Sequence, residues 1–185
     1  MKATLALTPT LSLAWLLPLA AVAPPGPEPT PAPSAGWPGS LSNGLPAELR
    51  GYATAPKDPL PDTDENEMGV YTQVSRRYQQ IQSRTFARAL VFIVQDYGSG
   101  KNLTASLRSA TREAGKNSGV LAREQSVGGR PAFVVFHRDG EKPVTVVTVL
   151  ATPSRLLLAY ADNIEEPEAL KLVEQVDFKK IAAAR

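Results

Sequence analysis

The stretch Ala132-Phe133-Val134-Val135-Phe136-His137-Arg138-Asp139-Gly140, followed by Val144-Thr145-Val146-Val147-Thr148-Val149, decides the fold. Two runs of β-branched and aromatic residues flank an Asp-Gly pair, a dipeptide whose backbone accepts the positive φ of a tight hairpin turn. Arg130 to Arg138 and Pro143 to Thr152 are therefore read as antiparallel strands. Phe133, Val135 and His137 fall on one face of the first, and Ala132, Val134 and Phe136 on the other.

Working outward, Gly128-Gly129 turns the chain back into a strand over Val120 to Val127, and Pro153-Ser154 leads into another over Arg155 to Ala161. Further upstream, Val70, Val74 and Tyr78 alternate with polar residues, the pattern of a half-exposed strand over Val70 to Gln82. Ser83-Arg84 permits a turn into Phe86 to Gln95, whose β-branched and aromatic content suits a central strand. Before these strands, Lys57 to Glu67 carries Pro59, Pro61 and five acids and is read as an exposed loop.

Two helices complete the outline. Asn102 caps one that runs to Glu113 or Ala114 and stops at Gly115, with Leu103, Leu107, Ala110 and Ala114 as its buried stripe. Arg108, Arg112 and Lys116 recur every four residues on its opposite side as a basic ridge, with Lys101 at the helix start. The second helix begins at Pro167, behind Glu165 and Glu166 near its positive end, and buries Ala169, Leu172, Val173 and Val176. The order ββαββββα predicts an α+β domain, an antiparallel sheet of about six strands packed with two main helices.

The run Val127-Gly128-Gly129-Arg130-Pro131-Ala132-Phe133, the valine-rich hairpin and the terminal helix followed by Phe178 resemble the PsbP/Mog1-like group of single α+β domains. The resemblance spans roughly Leu45 to Arg185 and carries over no functional residue. It implies a docking and assembly module rather than a hydrolase.

The N-terminus supplies an address. Met1 and Lys2 precede an apolar stretch from Ala3 to Ala23 that ends in Ala21-Val22-Ala23, a secretory pattern. Thr8, Pro9, Thr10, Ser12 and Pro18 interrupt the run that a permanent span would need, while Pro24 fits poorly as a new first residue. Residues 1–23 are thus a signal peptide or an N-terminal anchor, which places the protein in the periplasm or outside the cell. Residues 24–46 contain eight prolines and four glycines and read as an extended, proline-rich linker. The single domain then covers residues 47–185.

Composition narrows the chemistry. The formal charge of +2 on 185 residues excludes a global polyanion-binding surface, and nucleic acid is not an expected partner of an exported chain. The lack of cysteine excludes disulfides, thiolate nucleophiles and cysteine-held metals, and the single His137 excludes clustered-histidine sites. Gly98-Ser99-Gly100-Lys101-Asn102 misses a phosphate loop, because Gln95 stands where the first glycine belongs and Asn102 where a metal-binding hydroxyl does. His137 has the pKa range of a general base but no accompanying serine nucleophile motif. Asn102-Leu103-Thr104 matches a glycosylation acceptor only formally. The sequence thus nominates no catalytic residue, no cofactor and no metal ligand.

Charge segregation is the positive feature. From Arg76 to Arg138 eleven basic residues face three acids, a net of +8, whereas Asp139 to Asp177 has a net of −5. The expected function is an exported, non-enzymatic binding or assembly domain held near the membrane, recognising a protein or an anionic surface. Lys101, Arg108, Arg112 and Lys116 are the expected contacts. A small-ligand or lipid carrier with a pocket between sheet and helix is the alternative.

Overall fold

A computed structural model describes residues 41–54, 62–81, 87–138 and 142–184. The strands are β1 (Ala53–Thr54), β2 (Asp62–Asn66), β3 (Gly69–Ile81), β4 (Ala87–Asp96), β5 (Val120–Val127), β6 (Arg130–His137), β7 (Val144–Thr152) and β8 (Arg155–Asp162). The helices are α1 (Thr104–Ala114), α2 (Glu166–Val173) and α3 (Phe178–Ala183), and a 3-10 turn covers Ser42–Gly44. One antiparallel sheet of eight strands runs β1-β3-β4-β8-β7-β6-β5, with β2 also paired to β3. The class is α+β, as read from the sequence, but the sheet has eight strands where about six were expected.

The two extra strands are those that side-chain pattern does not announce. β2 is Asp62-Thr63-Asp64-Glu65-Asn66, a composition depleted in strands. It pairs with the outer side of β3 from Asp62↔Gln73 to Asn66↔Gly69, so Lys57 to Glu67 is corrected from a loop to a strand over its described second half. Backbone hydrogen bonding holds it, since four of its five residues are exposed. The tight return at Asn66↔Gly69 needs Gly69, whose φ is 120°. The turns at Ser83-Arg84 and Asp139-Gly140 lie outside the described residues, but the hairpins they close are present, with Ile81↔Ala87 and His137↔Val144 as their last pairs.

Register lines up one apolar row across the sheet: Val74, Val94, Leu157, Val149 and Ala132 are successive partners. All are buried, and α2, α3 and the N-terminal residues Leu41, Leu45, Leu49 and Tyr52 cover them. Each large apolar side chain buried there contributes about 1.5–3 kcal/mol. The neighbouring residues point to the opposite face, where Phe133, Leu150 and Leu156 pack with Leu103, just before α1, and Leu107 of α1. Apolar residues on both faces of β7 follow from this double cover, and seven of its nine residues are buried.

Helix α1 corrects the expected stripe. Leu103, Leu107 and Thr111 are buried, while Ala110 is exposed. The spacing of four continues through Thr111, whose hydroxyl donates to the Leu107 carbonyl at 2.8 Å, so a polar residue occupies a core-facing position without an unpaired group. Asn102 does accept from the Thr104 N–H, at 3.1 Å. In α2 the stripe is as expected for Ala169, Leu172 and Val173, while Val176, also buried, lies past the end of the helix.

A third helix was not expected. Asp177 caps α3 by accepting from the N–H groups of Lys179 and Lys180, both at 3.1 Å, and Phe178 and Ile181 are its buried residues. The helix docks on the 3-10 turn, where the Asp177 N–H donates to the Gly44 carbonyl at 2.9 Å. Arg76 Nη1 donates to the carbonyls of Leu45 and Pro46 at 2.8 and 3.1 Å, and the Tyr78 hydroxyl also donates to the latter. Residues 41–46, assigned to the linker on proline and glycine content, therefore belong to the packed body. The rest of residues 1–46 lies outside the described residues.

Candidate partner-binding edge

The two edges of the sheet differ. On one side β1 is only two residues long and β2 presents Asp62, Asp64 and Glu65, the short and charged form that discourages pairing with a foreign strand. On the other side β5 is eight residues long, and among the described residues no strand lies beyond it. Leu121 is 43% exposed there, and Arg123, Glu124 and Ser126 are exposed with it.

Helix α1 runs above this edge. Leu107 is directed inward, to a cluster with Phe133 of β6, whereas the next residue, Arg108, reaches Glu124 of β5. The flank that carries Arg108 is therefore the one above the outermost strand, and Arg112, one turn on, shares it. Arg108 grips Glu124 with two bonds, Nε to Oε2 at 2.7 Å and Nη2 to Oε1 at 2.6 Å. That contact holds the Glu124 carboxyl below its usual range and raises Arg108. Gly115 brings the end of the helix against Ala122, where a Cβ would meet the Ala122 Cβ at 3.4 Å.

The structure thus brings together three of the four expected contact residues. Arg108 is paired, Lys116 forms an ion pair with Glu113 in the turn that leads to β5, and Arg112 is exposed with no ion pair among the described residues. Lys101 is elsewhere: its Nζ donates to the Met68 carbonyl at 3.4 Å, over the β2–β3 return. The helical period located the ridge, but its proximity to an open edge was visible only in the folded chain.

Charge segregation along the sequence is partly cancelled in space. Arg88 Nη1 donates to both carboxylate oxygens of Glu168 at 3.0 Å, and Arg123 pairs with Glu166, so two residues of the basic stretch hold α2 of the acidic stretch. Arg76 serves the N-terminal segment, and Arg130 donates to the Ala151 carbonyl at 2.7 Å. Each of these arginines bonds to a group within the domain, although Arg123 remains partly exposed.

His137 is exposed at the end of β6, between Val120 and Val144. In the Gly98-Ser99-Gly100 turn the Gly98 N–H donates to Asp96 Oδ1 at 3.0 Å, which occupies a group that an anion would need. Tyr71 and Tyr97 pack with ring centres 5.1 Å apart and planes tilted by 38°, and Asn66 donates to the Tyr97 hydroxyl at 2.8 Å. Among the described residues no cluster of three or more His, Asp or Glu suits a metal ion, and no helix is long and apolar enough to cross a membrane. Compared with protein families, curated proteins and solved structures, the chain matches none of them.

Proposed function

We propose that this chain is an exported, non-enzymatic binding and assembly domain, held near the membrane by its proline-rich tether, and that it recognises a protein partner. The observation that carries this reading is the β5 edge, beyond which no strand lies among the described residues, beneath the Arg108 and Arg112 flank of α1. An unguarded edge strand is a template for another chain, and arginines beside it favour acidic polypeptide. The outline resemblance to PsbP/Mog1-like domains implies docking as well. Leu103, Leu107, Phe133, Leu150 and Leu156 fill the space between α1 and the sheet, which favours docking over carriage of a ligand there.

The reading is tested by placing a photocrosslinking residue at Leu121 in the full chain in its native cells. A control position is Ile93, on the sheet face away from α2 and α3. The expected result is one defined protein adduct at Leu121, reduced with Arg112→Glu and absent at Ile93. Equal capture at both positions, or none at Leu121, removes the reading. N-terminal sequencing of the mature protein tests export.

A further inference from the structure

We infer that the partner, taken as in the preceding reading, delivers an extended strand that adds antiparallel to β5 with carboxylates turned towards Arg112. The backbone pattern follows from the hairpin. Gly128-Gly129 is a two-residue turn closed by Val127↔Arg130, which makes that pair hydrogen-bonded, and every second pair after it likewise. Gln125↔Ala132, Arg123↔Val134 and Leu121↔Phe136 are those pairs. The intervening residues Ala122, Glu124 and Ser126 must then direct their N–H and C=O groups outward. The Val120 N–H is already used by the Asn117 carbonyl, at 3.3 Å. Three consecutive outward donor–acceptor sites at strand spacing fit a β-strand and no other regular element.

Side-chain direction sets the chemistry of that strand. Ala122, Glu124 and Ser126 point to the α1 face, and Leu121 to the other. An incoming strand that bonds to the outward groups places its facing residues on the α1 side too. There Arg108 is committed to Glu124, while Arg112 is exposed with no ion pair among the described residues. A carboxylate on that side is complementary to Arg112, and the apolar residues that alternate with it lie on the side of exposed Leu121. The two charges on β5 that ordinarily deter such pairing are engaged within the chain, Arg123 with Glu166 and Glu124 with Arg108.

The test uses the full chain and a blocked peptide, Thr-Glu-Val-Glu-Val-Glu-Thr, beside its lysine counterpart and versions N-methylated on the Glu or on the Val amides. Binding is read by fluorescence anisotropy and site by amide hydrogen exchange. The expected result is slowed exchange at Ala122, Glu124 and Ser126 with the glutamate peptide, persisting with N-methyl-Val and lost with N-methyl-Glu. Arg112→Glu should weaken binding about fivefold. Ala122→Pro should abolish it, since the N–H it removes is not one that β6 uses. If that variant misfolds, the N-methylated peptides still decide. Equal binding of the lysine peptide, or protection anywhere but at those three amides, or none up to the solubility limit, overturns strand addition. Crosslinking at Leu121 together with any of these results leaves the partner-binding reading standing and removes only its mode.

Discussion

Arg155 and Asp96 are direct partners across β8 and β4, and the arginine joins that pair to the end of α3. Its Nε donates to Asp96 Oδ2 at 3.0 Å, while Nη1 donates to the carbonyls of Ile181, Ala182 and Ala184 at 2.7, 3.2 and 3.0 Å. A helix end leaves its last carbonyls without intrahelical donors, and a cation there complements the dipole. At 13% side-chain exposure for Arg155 and 22% for Asp96, losing the arginine strands a carboxylate and several carbonyls. Arg155→Met should lower unfolding free energy by about 3 kcal/mol in urea titration. A loss under about 1 kcal/mol would show that water replaces the arginine without cost.

Gly44→Ala should destabilise the domain by about 1–3 kcal/mol through overpacking. The added Cβ would collide with Ile181 Cγ1 and lie 2.8 Å from the Asp177 carbonyl oxygen. Since the carbonyl is backbone, relief requires α3 to shift. Hydrogen exchange should therefore accelerate at Ile181 before it does in β7, and an unchanged melting temperature would contradict this packing.

Alkaline pH should act through Tyr71, whose hydroxyl is pushed up to about 12, first by burial and then by Asp64. Its O–H donates to Asp64 Oδ2 at 3.3 Å. Between the unfolded value of about 10 and the folded one, the unfolded chain has lost a proton that the native chain keeps. Stability present below pH 10 should thus fall as pH rises through that interval. Spectrophotometric titration should show Tyr71 ionising late, beside Tyr52, Tyr97 and Tyr160, which burial also raises, and Asp64→Asn should bring the Tyr71 step earlier. Ionisation of every tyrosine at the ordinary value of about 10, or a titration unchanged by Asp64→Asn, would contradict the prediction.

Salt should weaken the folded state. Arg88–Glu168 and Arg123–Glu166 join stretches of opposite sign, and both pairs are partly exposed. Raising sodium chloride from about 0.01 M to about 0.15 M shortens the Debye length from about 30 Å to about 8 Å and screens such attraction. A small fall in melting temperature is expected, and Glu168→Gln should reduce its size. A rise would mean that repulsion within the basic stretch dominates.

The hairpins, the alternation along β6 and the apolar stripe of α2 were legible because they rest on turn chemistry and short periods. The ridge Arg108, Arg112 and Lys116 was legible for the same reason, but Lys101 was grouped with it by proximity in sequence alone. Thr111 was missed because a polar residue breaks the apolar period even when its hydroxyl is bonded within the helix. Asp177-Phe178 with Ile181 was the available signal for α3, a helix of only six residues.

Amino-acid order by itself determined which segments alternate, which turn and which carry a one-sided apolar face, since these depend on neighbours within a few positions. Only the tertiary structure decided that Asp62–Asn66 joins the sheet, that residues 41–46 join the core, and which charges remain available. β2 is held by backbone groups that every residue type possesses. The decisive ion pairs link residues 80 and 43 positions apart, a separation over which no local pattern carries information.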